Sequence, residues 1–139
     1  MNYTETLDYL YTSLPSFQQV GASAYKPGLE RVSEFCRKIG NPQRSYFVIH
    51  IAGTNGKGSV STALSCITEK SGLKTGLFTS PYIICFNERI KVNGEFIPDE
   101  AIADITALIK EKTDLMENEG LYPTVFEVTT ALAMVYFAR

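Results

Sequence analysis

Val48-Ile49-His50-Ile51-Ala52-Gly53-Thr54-Asn55-Gly56-Lys57-Gly58-Ser59 is the stretch whose reading decides the fold of this chain. Val48 to Ala52 is a short apolar run of the kind that forms a buried strand. A glycine-rich loop follows, carrying one lysine and a hydroxyl, and it opens into residues with apolar side chains at helical spacing. Strand, glycine loop and helix start in that order make a phosphate cradle. Glycines let backbone N–H groups converge on an anion, the helix N-terminus adds positive dipole, and Lys57 supplies a mobile charge. The spacing departs from the commonest P-loop, whose first glycine, counted back from Gly56-Lys57, falls at Ile51 within the strand. Here the first glycine is Gly53, and Gly58 separates Lys57 from Ser59. Glycine-rich turns between strand and helix also occur without a ligand. The flanking strand and amphipathic helix favour the cradle over that plainer reading.

The bulk numbers bound the rest. At 139 residues the chain has the length of one ordinary domain, and 45% hydrophobic with 20% charged residues are globular values. A net charge of −2 with scattered basic residues points to no nucleic-acid or membrane surface. Cys36, Cys66 and Cys85 show no metal-ligand spacing and there is one histidine, so zinc or a disulfide framework is not expected and a reducing, cytoplasmic setting is. Met1 is followed by no basic and apolar leader. The longest apolar stretch, Thr124 to Ala138, contains Glu127 and is too short to span a bilayer.

Outward from the cradle, the pattern predicts a helical lead-in over 1–45, a P-loop βαβ unit over 46–79, an irregular loop and hairpin over 80–98, and helices over 99–139. In the lead-in, Leu7, Leu10, Tyr11 and Leu14 mark a helix over 2–14, ended by Pro15. A second helix after Pro27-Gly28 places Leu29, Val32, Phe35, Cys36 and Ile39 on one face, with Gly40 as its C-cap. The first strand covers Tyr46 to Ala52. The helix after the cradle carries Val60, Ala63, Leu64 and Ile67 on one stripe and stops near Ser71-Gly72; a second strand covers Lys74 to Thr79. This strand–helix–strand order implies a parallel pair with a right-handed crossover. Ligands in such sheets bind beyond the carboxyl ends of the strands, where Gly53 and Ser80 fall. Asn93-Gly94 reads as a hairpin turn. Asp99 caps a helix over 100–118 with Ile102, Ile105, Leu108, Ile109 and Met116 inward, and a final helix from Thr124, apolar on nearly every side, is expected against the sheet. No stop signal follows it before Arg139, so the sequence is expected to end within its domain.

Lys57 is placed for the β- and γ-phosphates, with Gly56, Gly58 and Ser59 donating backbone N–H groups. The Ser59 hydroxyl suits either the phosphates or a magnesium ion, which prefers oxygen ligands. Ser80 is a second hydroxyl at the same sheet edge, although a Ser-Pro turn needs no function. Glu127, among apolar neighbours, faces a metal, a substrate or a cation such as Arg89, or else complements the dipole at an exposed helix start. His50 reads as a packed core histidine without chemistry.

Four ordered blocks carry a resemblance. They are His50 to Ser59, Gly76-Leu77-Phe78-Thr79-Ser80-Pro81, Phe86-Asn87-Glu88-Arg89-Ile90, and Thr124-Val125-Phe126-Glu127. With the Tyr25-Lys26-Pro27-Gly28-Leu29-Glu30 run, they resemble the N-terminal part of folylpolyglutamate synthases and bifunctional dihydrofolate synthase/folylpolyglutamate synthases, members of the Mur ligase superfamily. The resemblance implies an α/β fold, a P-loop-containing parallel sheet flanked by helices, of the Mur ligase central-domain type. It implies ATP and Mg²⁺ as cofactors, with folate or dihydropteroate and L-glutamate as substrates joined through an acyl phosphate. Gly53, Thr54, Asn55, Gly56, Lys57, Gly58 and Ser59 would hold ATP, with Lys57 catalytic; Ser80, and as a further candidate Ser59, would ligate magnesium. Arg89 and Glu127 would lie near substrate, Glu127 not as a metal ligand, and 80–90 would be an Ω-type loop. A monomeric full-length protein, without nucleic-acid or membrane partner, is implied.

The family's Glu-Val-Gly-x-Gly-Gly strand, its later metal-binding histidine, its modified lysine and its C-terminal glutamate-binding domain are not in these 139 residues. The expectation is therefore that this polypeptide alone does not catalyse ligation. The residues by themselves leave three other readings open: another Mur-type amide ligase, a P-loop kinase or GTPase, and a non-catalytic nucleotide-binding module. The kinase or GTPase would need a longer loop and an early Walker-B aspartate, and neither is evident.

Overall fold

The structure, a computed structural model, describes residues 1–14 and 28–139. The described elements are α1 (Tyr3–Asp8), α2 (Glu30–Lys38), α3 (Lys57–Lys70), β1 (Gly76–Phe78), β2 (Ile90–Val92), β3 (Glu95–Phe96), α4 (Asp99–Asn118) and α5 (Val125–Ala138). α1 continues into a π-helical turn over Tyr9–Ser13, and two 3₁₀ turns cover Pro42–Arg44 and Phe86–Arg89. The elements fall into two compact units, one of Met1–Tyr46 with Glu100–Arg139 and one of Phe47–Asp99.

The first unit is helical, and its local signals hold. α1 starts in a capping box: Asn2 Oδ1 accepts from Glu5 N at 2.9 Å and Glu5 Oε2 accepts from Asn2 N at 2.9 Å. The helix expected over 2–14 is thus present, with Leu10 and Leu14 buried, while Pro15 lies outside the described residues. α2 buries Phe35 and Cys36, ends on basic Arg37 and Lys38, and is followed by Gly40 at φ 85°, a left-handed position that glycine accepts at least cost. Along α4, Ile102, Ile105, Ile109 and Met116 are fully buried at helical spacing, as expected, whereas Leu108 is on the exposed side. α5 buries Val128, Ala131, Leu132, Ala133 and Val135. It does so against α2 and the Pro42–Arg44 turn, not on a sheet as its composition suggested. Tyr46 reinforces that packing by donating to Met134 O at 3.2 Å and meeting Phe137 edge-on at 6.1 Å between ring centres.

The second unit holds a three-stranded antiparallel sheet in the order β1-β2-β3, with Leu77 opposite Lys91 and Lys91 opposite Phe96. β2 and β3 are joined through Asn93 and Gly94 at φ 50° and 79°, the two left-handed residues of a type I′ turn, as the Asn-Gly pair foretold. Phe86, Ile90 and Ile97 form its core. The parallel pairing expected between 46–52 and 74–79 is not formed: β1 bonds antiparallel to β2, and residues 47–52 run without a ladder partner among the described residues. Phe47, Val48, Ile49 and His50 are consequently exposed, so His50 is not a core histidine here. α3 forms where expected but turns a different face inward. Ser65 is its buried residue and Thr68 Oγ1 meets Thr75 Oγ1 at 2.9 Å, while Val60 and Ile67 of the expected apolar stripe are more than half exposed.

Candidate nucleotide site

The cradle is built as its sequence requires. Gly56 is the N-cap of α3 at φ 79°, ψ 2°, a left-handed conformation that a side chain would strain. The turn aims the first backbone N–H groups of α3, those of Lys57, Gly58 and Ser59, out of the helix, and no side chain caps them. The first bond closing the helix is Val60 N to Gly56 O at 3.0 Å. Gly58 has nothing within 4 Å of where a Cβ would stand, so the approach to these donors is open. Lys57 folds back across the loop, donating to Gly53 O at 2.6 Å and reaching Thr54 O at 3.4 Å. Convergent N–H donors, a helix dipole and an ammonium held by loop carbonyls are the groups that an anion-binding site requires.

Ser80 follows the C-terminal end of β1, in a Ser80–Pro81 peptide bond that is cis. Its Oγ accepts from Arg89 Nη1 at 2.8 Å. The Arg89 guanidinium lies 4.9 Å from the Tyr82 ring centre and 5.8 Å from that of Phe86, within cation–π range of both. Its Nε is shut from solvent with no hydrogen-bond partner. The loop between Ser80 and Arg89 is tied by Glu88, whose carboxylate accepts from Ile83 N at 3.0 Å, Ile84 N at 2.9 Å and Cys85 N at 3.1 Å. The N–H groups of Ile83, Cys85 and Ile84 hold the Glu88 carboxyl below its ordinary 4.5. Behind it, buried Asn87 donates to Ile97 O and to Asp99 Oδ1, both at 2.8 Å, fastening the loop to the end of the same unit.

Of the residues singled out in sequence, Gly53–Ser59, Ser80 and Arg89 belong to the Phe47–Asp99 unit. Glu127 belongs to the other, and its cationic partner is Arg31, not Arg89. Arg31 Nη2 donates to Glu127 Oε1 at 3.0 Å and Arg31 Nε to Oε2 at 3.3 Å, each side chain 14% exposed. Glu127 also closes the capping box of α5, accepting from Thr124 N at 2.8 Å while its own N–H reaches Thr124 Oγ1 at 3.2 Å. The carboxylate thus both caps the helix start and faces a cation, but it does so largely buried, not at the exposed start the sequence suggested, and with Arg31 in place of Arg89. Glu88, Asn87 and Arg31 were not singled out from sequence. Cys85-x-x-Glu88 and Thr124-x-x-Glu127 follow the spacing of a capping box, which was a signal for the first; nothing local announces the other two.

Among the described residues no helix is long and apolar enough to cross a membrane, and no group of three or more His, Cys, Asp or Glu side chains is placed to hold a metal. The donor set still fits magnesium: the Ser59 and Ser80 hydroxyls are exposed hard oxygens, able to complete a shell otherwise made of water and phosphate oxygens.

No protein-family model matches the chain. Individual relatives do. The folylpolyglutamate synthase of Lacticaseibacillus casei is 39% identical over 141 aligned residues, covering 100% of this chain and 31% of the relative. The dihydrofolate synthase/folylpolyglutamate synthase of Bacillus subtilis is 42% identical over 82% of this chain and 27% of its own. The crystal structure of a folylpolyglutamate synthase from Thermotoga maritima superposes with a TM-score of 0.86 at 40% identity, across 98% of this chain and 30% of that one. The chain belongs to the folylpolyglutamate synthase/dihydrofolate synthase family. Its fold is accordingly the α/β fold of the Mur ligase type. It spans roughly a third of the length of the folylpolyglutamate synthases it matches. A solved complex of a folylpolyglutamate synthase with AMPPCP and folate aligns with a TM-score of 0.84 at 40% identity over 99% of this chain and 32% of that one.

Proposed function

We propose that this chain is the phosphate-binding part of an ATP-dependent ligase that joins L-glutamate to folate or dihydropteroate. The observation that carries the reading is the Gly53–Ser59 loop: a left-handed Gly56 opening α3, uncapped N–H groups, and Lys57 held only by loop carbonyls. In the ligation, Gly53, Thr54, Asn55, Gly56, Lys57, Gly58 and Ser59 bind the triphosphate of ATP. Lys57 leaves Gly53 O for the β- and γ-phosphates and stabilises charge on the phosphoryl group as it passes to the substrate carboxylate. The acyl phosphate so formed is attacked by the amino group of glutamate, with phosphate leaving. Ser80 and Ser59 are the residues that would hold magnesium, which when bound neutralises phosphate charge. Arg89 stands beside Ser80 on the loop facing the substrates. The full-length protein works as a cytoplasmic monomer on small molecules, and the 139 residues alone are inactive.

Calorimetry of ATP binding with Mg²⁺ to the full-length protein, wild type against Lys57→Ala, tests this. Losing one charge-assisted phosphate contact should weaken binding by about 10- to 100-fold. Equal binding by both proteins would point to a module that does not use this loop, and a preference for GTP would point to a GTPase. Turnover of ATP with L-glutamate and a folate by the isolated 139 residues would overturn the statement that they are inactive.

A further inference from the structure

The Ser80 oxygen assigned to a cation in the proposed function already has a cation on it. Arg89 Nη1 donates to Ser80 Oγ at 2.8 Å. Stacking on Tyr82 and Phe86 fixes the guanidinium in that place, and Glu88 fixes the backbone that carries both rings. Arg89 makes none of the ion pairs found among the described residues, so no carboxylate there cancels its charge. A magnesium ion bonded to Ser80 Oγ at about 2.1 Å would stand within a few ångströms of this guanidinium, a dication against a monocation. Both cannot keep full contact with one hydroxyl oxygen at low cost.

We propose that Arg89 occupies the cation's place on Ser80 and is exchanged for the metal ion when the nucleotide brings it in. The inference rests on the reading of Ser80 as a metal ligand. In the exchange the guanidinium gives up the Ser80 hydroxyl but keeps its aromatic platform, so it remains beside the site as a positive charge for the phosphate or carboxylate of the substrates. Arg89 is thus a positioning residue: it holds the Ser80 rotamer before the metal arrives and sets how much metal is needed to take Ser80 over.

The test is metal binding, read without turnover. Full-length protein saturated with a non-hydrolysable ATP analogue is titrated with Mn²⁺ and bound ion is followed by electron paramagnetic resonance. Arg89→Gln keeps a hydrogen-bond donor and removes the charge, and should lower the Mn²⁺ concentration for half-saturation about three- to tenfold. Arg89→Lys should stay near wild type. In a Ser80→Ala background the gain from Arg89→Gln should shrink to what removing a nearby charge gives by itself, because competition for one oxygen is then gone. An unchanged or weakened Mn²⁺ affinity in Arg89→Gln, or a gain undiminished by Ser80→Ala, overturns the proposal. Should Arg89→Gln fail to fold, the wild-type Arg89 guanidinium ¹⁵N resonances serve instead. They should shift when Mg²⁺ is added to the analogue-bound protein, and no shift overturns it. Ser80→Ala alone keeps the two readings apart: if it leaves the Mn²⁺ affinity untouched, the reading of Ser80 as a metal ligand fails, whereas a loss in Ser80→Ala with no gain in Arg89→Gln sinks the exchange alone.

Discussion

Glu127 offers the sharpest test of structure against function, because its sequence context suits a substrate contact and its geometry assigns it to the scaffold. Consider Glu127→Gln. The side chain keeps its shape and one acceptor, so the capping of Thr124 N survives in part, but the charge facing Arg31 is gone. Arg31 and Glu127 are each 14% exposed and meet through two contacts at 3.0 and 3.3 Å. Breaking a fully buried pair from one side costs about 3–5 kcal/mol, since the remaining charge is left without compensation. The residual exposure admits some water to Arg31, and the glutamine oxygen retains a neutral hydrogen bond, so a loss of about 2–3 kcal/mol is expected. Replacing both residues, Arg31→Met with Glu127→Gln, tests whether the two act as a pair: the double variant should lose less than the sum of the two single losses. Urea unfolding of the full-length protein followed by circular dichroism measures both, given unchanged slopes. A loss below about 0.5 kcal/mol in Glu127→Gln would refute the scaffold assignment. So would wild-type stability combined with a selective rise in the folate KM, which would return Glu127 to the substrate.

The other predictions concern the loop unit. Asn87→Ala takes the amide donor from Ile97 O at a buried contact and should cost about 1–3 kcal/mol, measured by the same unfolding assay. Gly94→Ala puts a Cβ at φ 79° in the type I′ turn and should cost about 1 kcal/mol, with the β2–β3 amide protection reduced in hydrogen exchange. The Glu88 carboxyl is lowered from 4.5 by the N–H groups it accepts, so its ordering of Ile83, Ile84 and Cys85 is complete above 4.5 and is lost as pH falls through the folded value. NMR amide shifts of these three residues should therefore hold constant from pH 7 to about 5 and move only in stronger acid. In Glu88→Gln that acid transition should disappear.

What could be read from the sequence was whatever depended on near neighbours. The Asn93-Gly94 turn, the Ile102-Ile105-Ile109-Met116 stripe and the left-handed Gly56 each follow from preferences acting within one turn of chain, and each is present. The candidate site divides along the same line. Lys57 and the α3 donors were legible because a cradle is a local object. The Arg31–Glu127 pair spans 96 positions, and the Asn87 amide works through a carbonyl ten residues on, so no periodicity could expose them. The stretch at 47–52 shows the limit most clearly. Its Val-Ile-His-Ile-Ala composition states that it belongs inside a sheet, but a strand is defined by the ladder it joins. β1 took β2 as its partner because the 79–89 loop returns the chain after a short stretch, at small loop-closure cost. Joining 47–52 to β1 in parallel requires neighbours on both sides and cover on both faces, interactions of long sequence separation in proteins three times this length. The cradle at its end needs none of these to take its shape. It is set by Gly56 and the first turn of α3, which is why the candidate loop takes its shape while the residues leading into it stand exposed.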